Sequence, residues 1–223
     1  IYVMKRAVVA LLSFFVIVLF SAGTIDGNKR TVVSGAEAQK KLIEGNKRFV
    51  ESMLTHPEQT IERRVELAAG QQPFAVIVSC SDSRVPPEIV FDQGLGDLFV
   101  IRLAGNVLND EAIASIEYAV DHLDVKYIMV LGHERCGAVS AAVQGGEFHG
   151  HIGSLVKAIQ PAIDMVKDEP GDPVDNAVIA NINLVVNYLK ASAPILSELA
   201  GKGELTITGA RYDLDDGLVE VLP

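Results

Sequence analysis

The sequence predicts an α/β fold: a mainly parallel central sheet flanked by helices, with an added edge strand at the C-terminus. Three observations carry this. Four short apolar runs, 74–78, 98–101, 127–131 and 205–208, have the continuous composition of strands buried on both faces. Stretches with helical apolar spacing stand before and between them, the alternation that builds a parallel sheet. Finally, Gly217 lies in a turn between Tyr212-Asp213-Leu214 and Leu218-Val219-Glu220-Val221, a terminal hairpin that adds the edge strand.

Taken in order, the elements begin with a leader. Lys5 and Arg6 precede an apolar run from Ala7 to Phe20, and the small residues Ser21, Ala22 and Gly23 follow. This is the pattern of a secretory signal over residues 1–23, which places the protein outside the cytoplasm, in the periplasm. The run is shorter than the roughly 20 residues of a membrane span. An uncleaved anchor is the alternative, and membrane contact is expected through this segment alone. Residues 24–35 read as a polar linker and 36–223 as a single domain, within the reach of a 223-residue chain.

From Ala36 to Leu54 the residues Leu42, Ile43, Phe49, Val50 and Met53 recur at helical spacing. Gly45 weakens that helix by about 1 kcal/mol relative to Ala. A second helix is expected over 58–69, stopped by Gly70. Between the second and third strands, Asn109 is the expected N-cap of a helix lined by Ile113, Ile116, Val120 and Leu123. Two more helices are expected near 154–167 and 174–190. The formal net charge is -10 and no Lys/Arg block runs through the body of the chain. The electrostatic footprint of a nucleic-acid binder is missing.

The first strand ends in Ser79-Cys80-Ser81-Asp82-Ser83-Arg84, the third in Gly132-His133-Glu134-Arg135-Cys136-Gly137. Open α/β sheets bind ligands at the carboxyl ends of their strands. Both of the chain's cysteines and a histidine therefore arrive at one functional edge. In an exported chain two cysteines first suggest a disulfide. Their company suggests thiolates on a metal instead: zinc suits two thiolates and an imidazole, and three protein ligands leave a fourth position for water. Asp82 is the remaining candidate for that position, and Arg84 could bind its carboxylate in bidentate fashion and hold it away.

The segment Cys80-Ser81-Asp82-Ser83-Arg84 together with His133-x-x-Cys136 resembles the two-part signature of the β-class carbonic anhydrases. The resemblance extends through Glu44-Gly45-Asn46-x-Arg48-Phe49, Gly70-Gln71-x-Pro73, Ala104-Gly105-Asn106, Ile116-Glu117-Tyr118-Ala119 and Gly209-Ala210-Arg211-Tyr212-Asp213. It implies that the enzyme hydrates carbon dioxide reversibly to bicarbonate and a proton, with one Zn2+ per subunit on Cys80, His133 and Cys136. Asp82 would accept a hydrogen bond from the metal-bound hydroxide, or close the site as a fourth ligand, and Arg84 would orient it. Gln71 falls where a glutamine donates to substrate across a dimer interface. Phe99, Tyr118 and Gly137 resemble the lining of a narrow apolar pocket. A homodimer or higher homo-oligomer is implied. Two thiolates donate more charge than imidazoles, which implies a preference for alkaline conditions. Some members have an accessory bicarbonate site that uses a Trp. Ile77 stands where that Trp would lie and the chain has no Trp, so no such site is expected.

Other readings stay open on sequence alone. The same fold could hydrolyse carbon disulfide or carbonyl sulfide, or serve as a zinc-stabilised bicarbonate-binding protein without catalysis. Asp82 and Arg84 could be a structural ion pair, Gln71 a helix cap, and Phe99 and Tyr118 packing residues. His149 and His151 flank Gly150 in a Gly-rich loop; either could shuttle protons, and either could be idle.

Overall fold

The computed structural model describes residues 31–223, so the leader and most of the linker lie outside the described residues. Among the described residues, five strands form one sheet: β1 (Ala75–Ser79), β2 (Leu98–Arg102), β3 (Tyr127–His133), β4 (Thr206–Tyr212) and β5 (Val219–Val221). Their order is β2-β1-β3-β4-β5. The first four run parallel, and β5 pairs antiparallel with β4. Every residue of β1 and β3 is buried, which accounts for their unbroken apolar content.

The period-2 alternation of strands sorts the core into two clusters. Val76, Val78, Ile128 and Val130 join one; Ala75, Ile77, Tyr127, Met129 and Leu131 join the other. The first is covered by α4 (Asp110–His122), α5 (Gly137–Gln144), α6 (Ile152–Val166), α7 (Pro173–Ala191) and α8 (Ile195–Gly201). The second is covered by α1 (Gly35–Val50) and the short α3 (Pro87–Val90); α2 (Ile61–Leu67) lies between those two in sequence. Asn109 does cap α4, accepting from the Ala112 N–H at 2.9 Å.

Helix α7 lies directly on the sheet. A Cβ added to Gly132 of β3 or Gly209 of β4 would come within 2.5 Å of Ile182 on α7. Glycine at these two strand positions lets helix and sheet backbones approach closely. Gly45 has a similar reason to be there: a Cβ would lie 1.7 Å from the Phe91 carbonyl oxygen. It is required by the approach of α1 to the end of α3, and the small helix-propensity cost is secondary.

The boundaries differ from expectation at three places. α1 begins one residue inside the expected linker, because Ser34 caps it through Glu37 N–H. It stops at Val50 and not Leu54: the backbone turns left-handed at Ser52, and Val50 and Met53 are exposed. α2 is shorter than expected because Thr60 supplies its N-cap. The helices α3, α5 and α8 and the 3-10 turn Ala104–Asn106 escape the periodicity reading. They are short, and the residues of α5 are mostly small.

Candidate metal centre at the carboxyl edge of the sheet

Cys80 follows the last residue of β1, His133 is the last residue of β3, and Cys136 caps the start of α5. Because β1 and β3 are parallel neighbours, their carboxyl ends deliver all three side chains to one place. One ligand atom from each lies within 4.8 Å of the other two, and all three residues are buried. Both thiols are free, with their sulfurs 3.9 Å apart, far beyond a disulfide bond of about 2.05 Å.

The trio fits a metal on two further counts. His133 Nδ1 lies 2.8 Å from the Glu134 carbonyl oxygen. A carbonyl only accepts, so Nδ1 carries the proton and Nε2 is left with a lone pair. That Nε2 is buried and has no hydrogen-bond partner among the described residues, a costly state that a metal would relieve. The sulfurs are also set up as donors. The hydrogen bond from Cys136 is the main cause that holds Cys80 down to about 4, against the opposing effect of burial; the Gly105 N–H adds to it. Cys136, keeping the shared proton and buried beside that thiolate, is pushed up. A metal would take the place of that proton, since thiols bind metal as thiolates.

Asp82 faces the trio, with Oδ2 3.7 Å from His133 Nε2. Arg84 grips it: Nε donates to Oδ1 at 2.9 Å, Nη2 to Oδ2 at 2.7 Å, and the Arg84 backbone N–H to Oδ1 at 3.0 Å. These bonds hold the Asp82 carboxyl well below the usual carboxylate range. Arg102, at the end of β2, ties the loop to the sheet. Its Nε donates to the Cys80 carbonyl at 2.8 Å and its Nη2 to the Asp82 carbonyl.

A family model described as carbonic anhydrase matches residues 75–219. Carbonic anhydrase 2 of Mycobacterium tuberculosis is 44% identical over 184 residues, 81% of this chain and 89% of that one. The carbonic anhydrase of Mycolicibacterium smegmatis is 42% identical over 188 residues, 82% of this chain and 91% of that one. Among solved structures, tetrameric β-carbonic anhydrases from Sordaria macrospora align with a TM-score of 0.65 at 28% identity, over 71% of this chain and 85% of theirs.

The chain belongs to the β-carbonic anhydrase family.

A β-carbonic anhydrase from Coccomyxa, solved with acetazolamide, has the same TM-score of 0.65 at 28% identity, over 81% of this chain and 84% of that one. The β-carbonic anhydrase family is zinc-dependent, and Cys80, His133 and Cys136 form a group that could hold such an ion.

The other expected site residues of this carbonic anhydrase are dispersed within a single subunit. Gln71 is exposed, in an open groove shared with Arg64, Leu67, Leu95 and Gly96, apart from the three ligands. Phe99 is half-buried on β2 and packs against the core. Tyr118 is 47% exposed on α4 and stacks on His122, with ring centroids 5.0 Å apart. Gly137, next to Cys136, is exposed, and a Cβ there would meet nothing within 4 Å. His149 and His151 are exposed in the loop that leads into α6.

Sequence reasoning misses four supporting residues. Besides Arg102, Glu134 accepts from Arg211 Nη2 at 2.8 Å and from the Leu214 N–H at 3.1 Å, which fixes the peptide that orients His133. Arg211 is anchored in turn on Asp175 of α7, 2.8 Å away. Asn181, also on α7, reaches the Gly105 carbonyl. No local pattern announces contacts that span from about 20 to nearly 80 residues of sequence.

Proposed function

We propose that this protein is a carbonate dehydratase that interconverts carbon dioxide and bicarbonate, using one Zn2+ per subunit held by Cys80, His133 and Cys136. The observation that carries this reading is the juxtaposition of those ligands with Asp82, an ionised carboxylate clamped by Arg84 beside the unpartnered His133 Nε2. When bound, zinc supplies the Lewis acidity that provides a water-derived nucleophile near neutral pH. Cys80 and Cys136 contribute two negative charges and His133 a neutral imidazole.

Asp82 Oδ2 keeps lone-pair capacity to accept a hydrogen bond from the attacking water, which aims the nucleophile at the carbon of carbon dioxide. Arg84 keeps that carboxylate ionised and would hold it off a bound metal; with the clamp released, Asp82 could serve as a fourth ligand that closes the site. Gln71, from a neighbouring subunit, would donate to substrate, and Phe99, Tyr118 and Gly137 would line the apolar approach. Exposure of Gln71, Tyr118 and Gly137 in a single chain supports a homodimer or larger assembly as the working unit. The leader supports an exported, periplasmic protein.

The readings as a carbon disulfide or carbonyl sulfide hydrolase and as a non-catalytic bicarbonate binder are not favoured. The matched relatives are carbonic anhydrases, and a binding relic would have no chemical need for the Asp82–Arg84 clamp. Stopped-flow carbon dioxide hydration of the wild type and Asp82→Asn tests the proposal. A fast wild type and a variant slowed at equal zinc content are expected; an inactive zinc-loaded wild type would overturn it.

A further inference from the structure

Asn181 is the polar exception on a helix face otherwise committed to the core. It is 1% exposed and is flanked on α7 by buried Ala177, Val178, Ile182 and Val185. A carboxamide in that position is costly unless it is hydrogen-bonded. Its Nδ2 donates to the Gly105 carbonyl at 2.9 Å. The N–H of the same glycine donates to Cys80 Sγ at 3.2 Å.

Gly105 is placed so that this pair of bonds is possible. Its φ of 68° and ψ of 22° are left-handed, and a Cβ would come within 2.8 Å of Ile159 Cδ1 and 3.2 Å of Ala138 Cβ. The turn is closed on both sides: Leu103 N–H donates to the Ser79 carbonyl at 3.2 Å, and Asn106 N–H donates to the Leu103 carbonyl at 2.9 Å. The Gly105 carbonyl and the Asn106 N–H share one peptide, so Asn181 and the Leu103 carbonyl hold that peptide from its two ends, and through the Gly105 Cα it sets the preceding peptide, whose N–H reaches the sulfur.

We propose that Asn181 is a positioning residue for the metal site, acting from α7 through Gly105 on the Cys80 thiolate. This rests on the reading of Cys80 as a zinc ligand. An N–H···S bond draws charge from a thiolate and lowers its donation to a metal, one way in which groups beyond the ligands tune a site. Losing the Asn181 bond leaves the Gly105–Asn106 peptide held at one end only, weakens the bond to sulfur and makes Cys80 a stronger charge donor, while its less fixed position costs more metal affinity than the added charge gains.

Cobalt-substituted protein reads this directly, through the thiolate-to-cobalt charge-transfer band, alongside zinc affinity by competition with a chromophoric chelator. Asn181→Leu removes the donor at similar volume, and Asn181→Ser, too short to reach the carbonyl, is the second variant should the first fail to fold. Leu189→Ala is the control: Leu189 is fully buried on the same helix and is not part of the Gly105–Cys80 relay. Expected are a shift of the band to longer wavelength and roughly 10-fold weaker zinc binding in the Asn181 variants. Leu189→Ala should lower the melting temperature and leave both readings in place. The proposal falls if the band and the affinity stay at wild-type values in the Asn181 variants, or if Leu189→Ala moves them equally. A wild type with no thiolate–cobalt band would instead sink the metal-site reading, and this proposal with it.

Discussion

Asp82 and Arg84 stand two residues apart, and almost everything about their pairing is local. The Arg84 backbone N–H and guanidinium converge on one carboxylate, so the loop of seven residues between β1 and α3 holds its own charge pair. Asp82 is only partly exposed and its proton is lost far below neutral pH, so it acts as an acceptor throughout the working range. Asp82→Asn, which replaces an anionic acceptor with a neutral amide, is expected to lower kcat by about 100-fold at unchanged zinc content, the size of effect that a positioned acid–base group contributes. Arg84→Ala should lower kcat while also letting Asp82 reach the metal. Its signature is a pH–rate profile displaced to the alkaline side, and an unchanged profile would contradict the role given to the clamp.

At the scale of elements, the segment after α1 is held to the end of α3 by one buried carboxylate. Asp92 accepts from Arg48 Nε of α1 at 2.6 Å, from Thr55 N–H and Oγ1 at 3.0 and 2.9 Å, and from His56 N–H at 2.9 Å. Burial alone would raise its pKa; the bonds from Thr55, Arg48 and His56 outweigh it and hold it at about 2. The folded value is depressed below the unfolded value of about 3.9, so the stabilisation is fully present above that pH and is lost as pH falls through about 2. Asp92→Asn should destabilise the protein by about 2 kcal/mol at neutral pH, and its stability should fall less steeply between about pH 4 and 2 than that of the wild type. Denaturant melts across that pH range check both. Gly45→Ala tests the approach of α1 to α3: with a Cβ forced against the Phe91 carbonyl, a loss of about 3 kcal/mol is expected, where a surface helix glycine would gain from the change.

For the whole molecule, the sheet order and the site follow from the same fact. β1 and β3 are adjacent, parallel and buried, so the residues at their carboxyl ends meet. That much is legible in sequence, because the strands announce themselves as apolar runs and the candidate site residues follow them directly: Cys80, Asp82 and Arg84 after one, His133 and Cys136 at the end of the other. The supports are not legible. Arg102, Arg211 and Asn181 act across the sheet or from α7, and their partners become neighbours only once the chain is folded. Likewise Gly45, Gly132 and Gly209 look like weak points in their elements until the backbone or side chain that needs their space is in place. α3, α5 and α8 are too short or too rich in small residues to show a period. On the proposed reading a second copy completes the site with Gln71, so analytical ultracentrifugation should find dimers or larger at micromolar concentration. A protein that stays monomeric while fully active would remove Gln71 from the site.

The central claim is that carbon dioxide hydration depends on metal held by Cys80, His133 and Cys136. The most direct test is the stopped-flow hydration rate of one preparation before zinc removal by a chelator, after it, and after zinc is restored. The account predicts that the rate disappears with the metal and returns at about one zinc per chain. A rate that survives removal, or a fully zinc-loaded protein that hydrates no carbon dioxide above background, would contradict it.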